Sequence, residues 1–222
     1  MSDFREGQSN FMQLDHMARV RDIGLKMMIL FYLAIADVLI TFFTGLTAID
    51  DLIHVGSGER LVDKLVILFV VASVLSFAVS LAYSIVTIRL CKYGTPFLVS
   101  GIFYLLFSIC NLLDMYLDTG WIGIISSVCG ILYIFKFSEA MRENLQNVDF
   151  VVSSGWDRLR TFYFIVLGIA GIALICNIFL PLMTDVFLLV YGACMIGELI
   201  VSIWTVILLY KSYKAMVDYT PR

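Results

Sequence analysis

Residues 65–88 read LVILFVVASVLSFAVSLAYSIVTI, 24 residues without a single charge. A helix crosses the bilayer hydrocarbon with about 20 mainly apolar residues, so this stretch predicts a transmembrane helix. It is roughly twice the length of a barrel strand and does not alternate apolar with polar, which argues against a transmembrane barrel. Five further stretches qualify on either side, placing spans at about 24–46, 65–88, 97–117, 120–136, 161–183 and 186–210. Tyr93–Leu113 and Thr161–Thr184 are likewise free of charge. The fourth span ends at Lys136, whose stem can reach the interface. Pro181 and Asp185 divide the last two spans and predict a helical hairpin.

Composition agrees with that reading. Of 222 residues, 61% are apolar and 15% charged, and mean hydropathy is +0.95. A soluble domain carries about 45–50% apolar and about 25% charged residues. These figures exclude a soluble core, a disordered chain, a collagen-like fibre and a secreted disulfide scaffold. The predicted fold class is an all-α integral membrane protein, a bundle of six transmembrane helices built from hairpins.

Basic residues set the expected orientation. With the N-terminus inside, 13 of the 15 Lys and Arg residues fall on inner segments. Only Arg60 and Lys64 lie outside, whereas Asp50, Asp51, Glu59, Asp63, Asp114, Asp118 and Asp185 are there. The positive-inside rule therefore predicts both termini in the cytoplasm. The expected organisation is a cytoplasmic N-terminal segment 1–23, a six-helix domain 24–210, a cytoplasmic loop 137–160 and a cytoplasmic tail 211–222. The plasma membrane is the expected location. Polar residues open the chain, with no apolar h-region, so no cleaved signal peptide is expected, and no lipidation motif appears.

Outside the spans, Phe11, Leu14, Met17, Ala18 and Leu25 share one helical face, which predicts an interfacial helix or an extension of the first span. Phe137–Asn147 continues the fourth helix. Ser153, Ser154 and Gly155 are expected to break the pattern, and Trp156 to Arg160 to form an interfacial collar. KFSEAM at 136–141 and KSYKAM at 211–216, with Ile-Cys-Asn at 109–111 and 175–177, hint at tandem hairpins, although the offsets differ.

Five cysteines, at 91, 110, 129, 176 and 194, lie in or beside spans, and the only histidines are His16 and His54. Reduced thiols are expected, with no metal site, no cofactor and no nucleic-acid partner.

Chemistry enters through the polar residues that interrupt the spans. Tyr191, Cys194, Glu198, Ser202 and Thr205 fall on one face of the sixth helix, and Asp37, Thr41 and Thr44 on one face of the first. Ser73, Ser76, Ser80, Ser84 and Thr87 form a stripe in the second. Tyr104, Ser108, Asn111 and Asp114 form one in the third, and Ser126, Cys129, Gly130 and Tyr133 in the fourth. Gly168, Gly171 and Ala173 are expected to make a close-packing surface on the fifth. Small hydroxyls are ordinary helix-packing material. A mid-bilayer carboxylate is different: unpaired, it costs about 2.5–3.5 kcal/mol on insertion scales. Asp37 and Glu198 lie at similar depths, with no basic residue at mid-membrane, so one shared inward-facing site is expected.

The candidate substrate- or ion-binding residues are Asp37, Glu198, Asn111, Thr41, Ser202, Tyr191, Ser76 and Ser80. The expected function is transport of a cation or small cationic solute by a small permease or channel-like protein, proton-coupled through its carboxylates. A non-catalytic membrane subunit or scaffold assembling with a partner, or with copies of itself, is the alternative. An intramembrane enzyme comes third, because the spans hold no histidine and no nucleophile–base set.

Overall fold

Six α-helices follow one another: α1 (Ser2–Ile53), α2 (Glu59–Arg89), α3 (Thr95–Leu117), α4 (Trp121–Leu145), α5 (Phe150–Phe179) and α6 (Thr184–Val217). A 3-10 turn, Leu90–Tyr93, joins α2 to α3. The computed structural model describes the backbone of 2–53, 59–117, 121–179 and 184–219, and side chains at 14–40, 70–114, 117, 121–173, 190, 192–194 and 196–219. Among these residues every regular element is helical. Leu14–Ile40, Val70–Tyr93, Thr95–Asp114, Trp121–Leu145 and Gly192–Val217 are long and apolar enough to cross a membrane. Part of α5 lies beyond the described side chains, so five to six helices qualify.

Exposed faces explain where that hydrophobicity goes. Val70, Val71, Val74 and Leu75 on α2, Ile165, Ile169 and Ile172 on α5, and Ile196, Leu199, Ile200, Ile203 and Ile207 on α6 all point outward. Continuous apolar stripes of this kind suit a lipid surround rather than water.

The chain divides into two units, with boundaries between Met27 and Met28 inside α1 and between Phe137 and Ser138 inside α4. The first comprises 1–27 and 138–222. Its centre is the antiparallel pair α5 and α6, which approach through glycine. A Cβ at Gly155 would lie 2.8 Å from Leu208 Cδ2, and one at Gly197 would lie 2.9 Å from Val166 Cγ2. The segment of α1 closes on α6 in the same way, a Cβ at Gly24 meeting Met216 Cβ at 3.0 Å. Val20, Ile23, Met27, Met141, Leu145, Leu159, Leu209 and Met216 fill the interior.

The N-terminal segment runs into the first span without a break, the extension being one of the two expectations for it: α1 is one helix of 52 residues, about 78 Å at 1.5 Å per residue. Other local expectations change. α1 buries Val20, Ile23 and Met27, while the expected apolar face keeps Leu14 and Leu25 exposed. Ser153, Ser154 and Gly155 do not break α5. Asp149 accepts hydrogen bonds from the N–H groups of Val151 at 2.9 Å and Val152 at 3.1 Å, capping α5 before that tripeptide is reached. The Ser153 hydroxyl donates to the Arg142 carbonyl at 3.0 Å, tying α5 back to α4. The expected loop 137–160 is therefore two helix extensions joined by a turn at 146–149. Trp156 is not part of a collar either. It is 1% exposed and donates from Nε1 to Ser212 Oγ at 3.0 Å. A Cβ at Gly168 or Gly171 would meet nothing within 4 Å among the described residues.

The second unit, 28–137, holds the rest of α1, then α2, α3 and most of α4. Gly101 permits α3 to press on the end of α2, for a Cβ there would sit 2.6 Å from Ile88 Cγ1 and 2.9 Å from its backbone nitrogen. Pro96 stands in the first turn of α3, where its missing N–H has no helical partner to lose. Cys91, Cys110, Cys129 and Cys194 are free thiols, while the Cys176 side chain lies outside the described residues.

Candidate intramembrane site

Asp37, on α1, accepts a hydrogen bond at Oδ1 from the Ser76 hydroxyl of α2 at 2.8 Å. One helical turn further along α2, Ser80 is hydrogen-bonded to Tyr104 of α3. One turn beyond that, the Tyr83 hydroxyl meets the Tyr133 hydroxyl of α4 at 2.8 Å. Asp37 is within electrostatic reach of Tyr83 and Tyr104. Four helices thus supply three successive hydrogen-bonded pairs along one face of α2, made of a carboxylate, two serines and three tyrosines.

The spacing explains the assembly. Positions 76, 80 and 83 are separated by four and three residues, so they share the α2 face that meets its neighbours. Ser84 and Thr87 continue the stripe in sequence but not in chemistry. Their hydroxyls donate to the Ser80 and Tyr83 carbonyls of their own helix, each at 2.9 Å. This local back-bonding is the common fate of a hydroxyl inside a helix.

Aromatic rings enclose the tyrosine end. Ring centroids are 4.8 Å apart for Tyr83 and Tyr104, 4.6 Å for Tyr104 and Tyr133, and 6.1 Å for Tyr83 and Tyr133. Below them lie Phe97 and Phe137, fully buried and 6.0 Å apart, with Phe137 5.6 Å from Tyr133.

The remaining candidates stand apart from this line. Asn111 is bonded through Oδ1 to the Ser126 hydroxyl of α4, nearer the other end of α3. Glu198 belongs to the other unit, on α6, with an exposed side chain within electrostatic reach of Tyr163 of α5. Ser202 is exposed and donates to the Glu198 backbone carbonyl at 3.0 Å. The side chains of Thr41 and Tyr191 lie outside the described residues. Among the described residues no group of three His, Cys, Asp or Glu side chains could hold a metal ion.

Sequence reasoning passed over Tyr83 altogether and left Tyr104 and Tyr133 out of the site. The signal was available: tyrosine carries a hydrogen-bonding tip on an apolar body, and Tyr83 continues the i, i+4, i+7 series begun at Ser76.

No family model, no characterised protein and no solved structure matches the chain.

Proposed function

We propose that this chain is a membrane transport protein for a cation or small cationic solute, acting through the intramembrane carboxylates Asp37 and Glu198. The supporting observation is the setting of Asp37: a half-buried carboxylate in a span, hydrogen-bonded to Ser76, with no Lys or Arg pairing with it among the described residues. A carboxylate at that depth is stabilised by a proton, a cation or water. Neighbouring hydroxyls from three other helices suit each of these.

The orientation that goes with this reading has both termini and the 146–149 turn in the cytoplasm, in the plasma membrane. Its support is the distribution of Lys and Arg. The test of function is flux into proteoliposomes containing the purified chain, with a panel of inorganic and organic cations and an imposed pH gradient. Asp37→Asn should reduce the flux seen with wild type at least about tenfold. Flux that survives Asp37→Asn unchanged overturns the role of that carboxylate.

A second reading has its own support. Gly168 and Gly171 meet no described side chain on α5, and Glu198 is exposed on α6. Small residues at a free helix face favour close helix association, which suits a membrane subunit that assembles with a partner or with itself. Wild type that transports nothing across the panel, yet migrates as a larger assembly, favours this alternative.

A further inference from the structure

Ring packing at the tyrosine end restricts what can move there. A cation held by aromatic faces sits within about 6 Å of each ring centroid. In this cluster the neighbouring ring already occupies that place, at 4.6 and 4.8 Å. A hard metal cation takes about six or more oxygen ligands, and the contacts around Asp37 and the tyrosines offer one carboxylate and a few hydroxyls. A proton needs neither a cavity nor a ligand shell. It passes along hydroxyls that each accept on a lone pair while releasing their own hydrogen.

We propose that the cation handled at Asp37 is a proton, and that the Tyr83 and Tyr133 hydroxyls carry it between Asp37 and the 89–97 end of the unit. This rests on Asp37 being the transport carboxylate and narrows the ion it handles. Ser76 to Tyr83 spans seven residues, about 10 Å of helix axis, directed away from Asp37 toward Arg89. Along that distance α2 presents Ser76 to Asp37, Ser80 to Tyr104 and Tyr83 to Tyr133. At the far end Phe97 and Phe137, 0% and 1% exposed, cover the tyrosine pair, so release to solvent there requires those rings to move.

The step balances simply. Asp37 Oδ1 gains its O–H bond from the Ser76 hydroxyl, which regains a proton from water bridging to the Ser80–Tyr104 pair. Each oxygen further along, to Tyr83 and Tyr133, likewise breaks one O–H bond and regains one, bridging water joining the pairs, and the last regains its proton from water beyond Phe97 and Phe137. No electron pair leaves an oxygen and no heavy-atom bond changes, so one positive charge is displaced per transfer.

Infrared difference spectroscopy on the full chain in lipid vesicles tests this, with pH jumps across about pH 5–9 in water and in heavy water. A carboxylic C=O band should grow on acidification, and the share of it that belongs to Asp37 should be lost in Asp37→Asn. Its hydrogen–deuterium exchange should slow about tenfold in Tyr83→Phe and in Tyr133→Phe, which keep the ring and remove only the hydroxyl. Ser80→Ala, a smaller deletion, should slow it as well and serves if either Phe variant loses helical content. Tyr32→Phe, at an exposed tyrosine outside the network, should leave it unchanged. The absence of an Asp37-dependent band overturns the proposal, as does exchange at the wild-type rate in the hydroxyl deletions. This readout needs no transported solute. Failure here alongside Asp37-dependent flux of another cation leaves the transport reading standing, whereas a titrating Asp37 in a protein without flux removes transport alone.

Discussion

Trp156 of α5 donates its indole N–H to Ser212 Oγ of α6 at 3.0 Å, with both side chains buried. This hydrogen bond and the glycine contacts beside it hold the α5–α6 pair near the 146–149 turn. A buried polar group that loses its partner forfeits about 1–3 kcal/mol. Trp156→Phe strands the Ser212 hydroxyl and leaves a void, and Ser212→Ala strands the indole N–H. Each should lower the thermal midpoint in detergent. The double variant should be less destabilised than the sum of the two singles, because neither group is then left seeking the other. Strictly additive midpoints would contradict the pairing.

Glycines on α5 and α6 should respond in opposite ways. Gly197→Ala places a methyl group 2.9 Å from Val166 Cγ2, and Gly155→Ala places one 2.8 Å from Leu208 Cδ2. Overpacking of this kind costs about 1–3 kcal/mol. Gly168→Ala and Gly171→Ala meet nothing within 4 Å among the described residues, so the fold should tolerate both. Thermal melts of the four variants check the contrast. Size-exclusion profiles of the Gly168 and Gly171 variants add a test of the assembly reading, since a partner helix seated there would be displaced.

The contrast between these glycine pairs shows how much of the fold is legible in sequence. Length and apolarity locate membrane-crossing helices without tertiary information, because the bilayer sets the required length. Which glycine faces a neighbour depends on the register between helices, and no periodicity encodes that. Gly155 reads as a breaker beside two serines, yet Asp149 has already capped α5 and Leu208 requires the small residue. Trp156 reads as an interface anchor for the same reason: its partner, Ser212, is 56 residues away. At the candidate site, Asp37 with Ser76 and Ser80 was legible as polarity out of place in lipid. Tyr83 was not, because its apolar ring conceals a hydroxyl whose importance depends on Tyr133 standing opposite.

Sidedness can be tested at a position the structure makes suitable. Ser153 is 3% exposed and bonded to the Arg142 carbonyl, so a cysteine there would be shielded from reagent on either side of the membrane. Asn147, exposed in the 146–149 turn, is the better probe. In a background without the native cysteines, Asn147→Cys should resist an impermeant thiol reagent in intact cells and react after permeabilisation. Ser57→Cys, in the expected first outer loop and outside the described residues, should react in intact cells. The reverse pattern would invert the topology.

Glu198 supplies the sharpest division between transport and assembly. Its side chain is exposed on α6, near Tyr163, and is flanked by Leu199 and Ile200, which are exposed too. Glu198→Gln keeps the shape and hydrogen-bonding capacity of the residue but cannot release a proton or neutralise a cation. If Glu198 acts in transport, the variant should lose at least about tenfold of the wild-type flux while its thermal midpoint stays put. If Glu198 instead sits neutral against a partner helix, an amide replaces much of its hydrogen bonding, and assembly size should survive the exchange. Measuring flux and assembly size on the same preparation separates these outcomes. Equal flux from wild type and Glu198→Gln would remove Glu198 from the mechanism. The burden would then fall on Asp37, whose Oδ1 accepts from the Ser76 hydroxyl of the neighbouring helix at 2.8 Å.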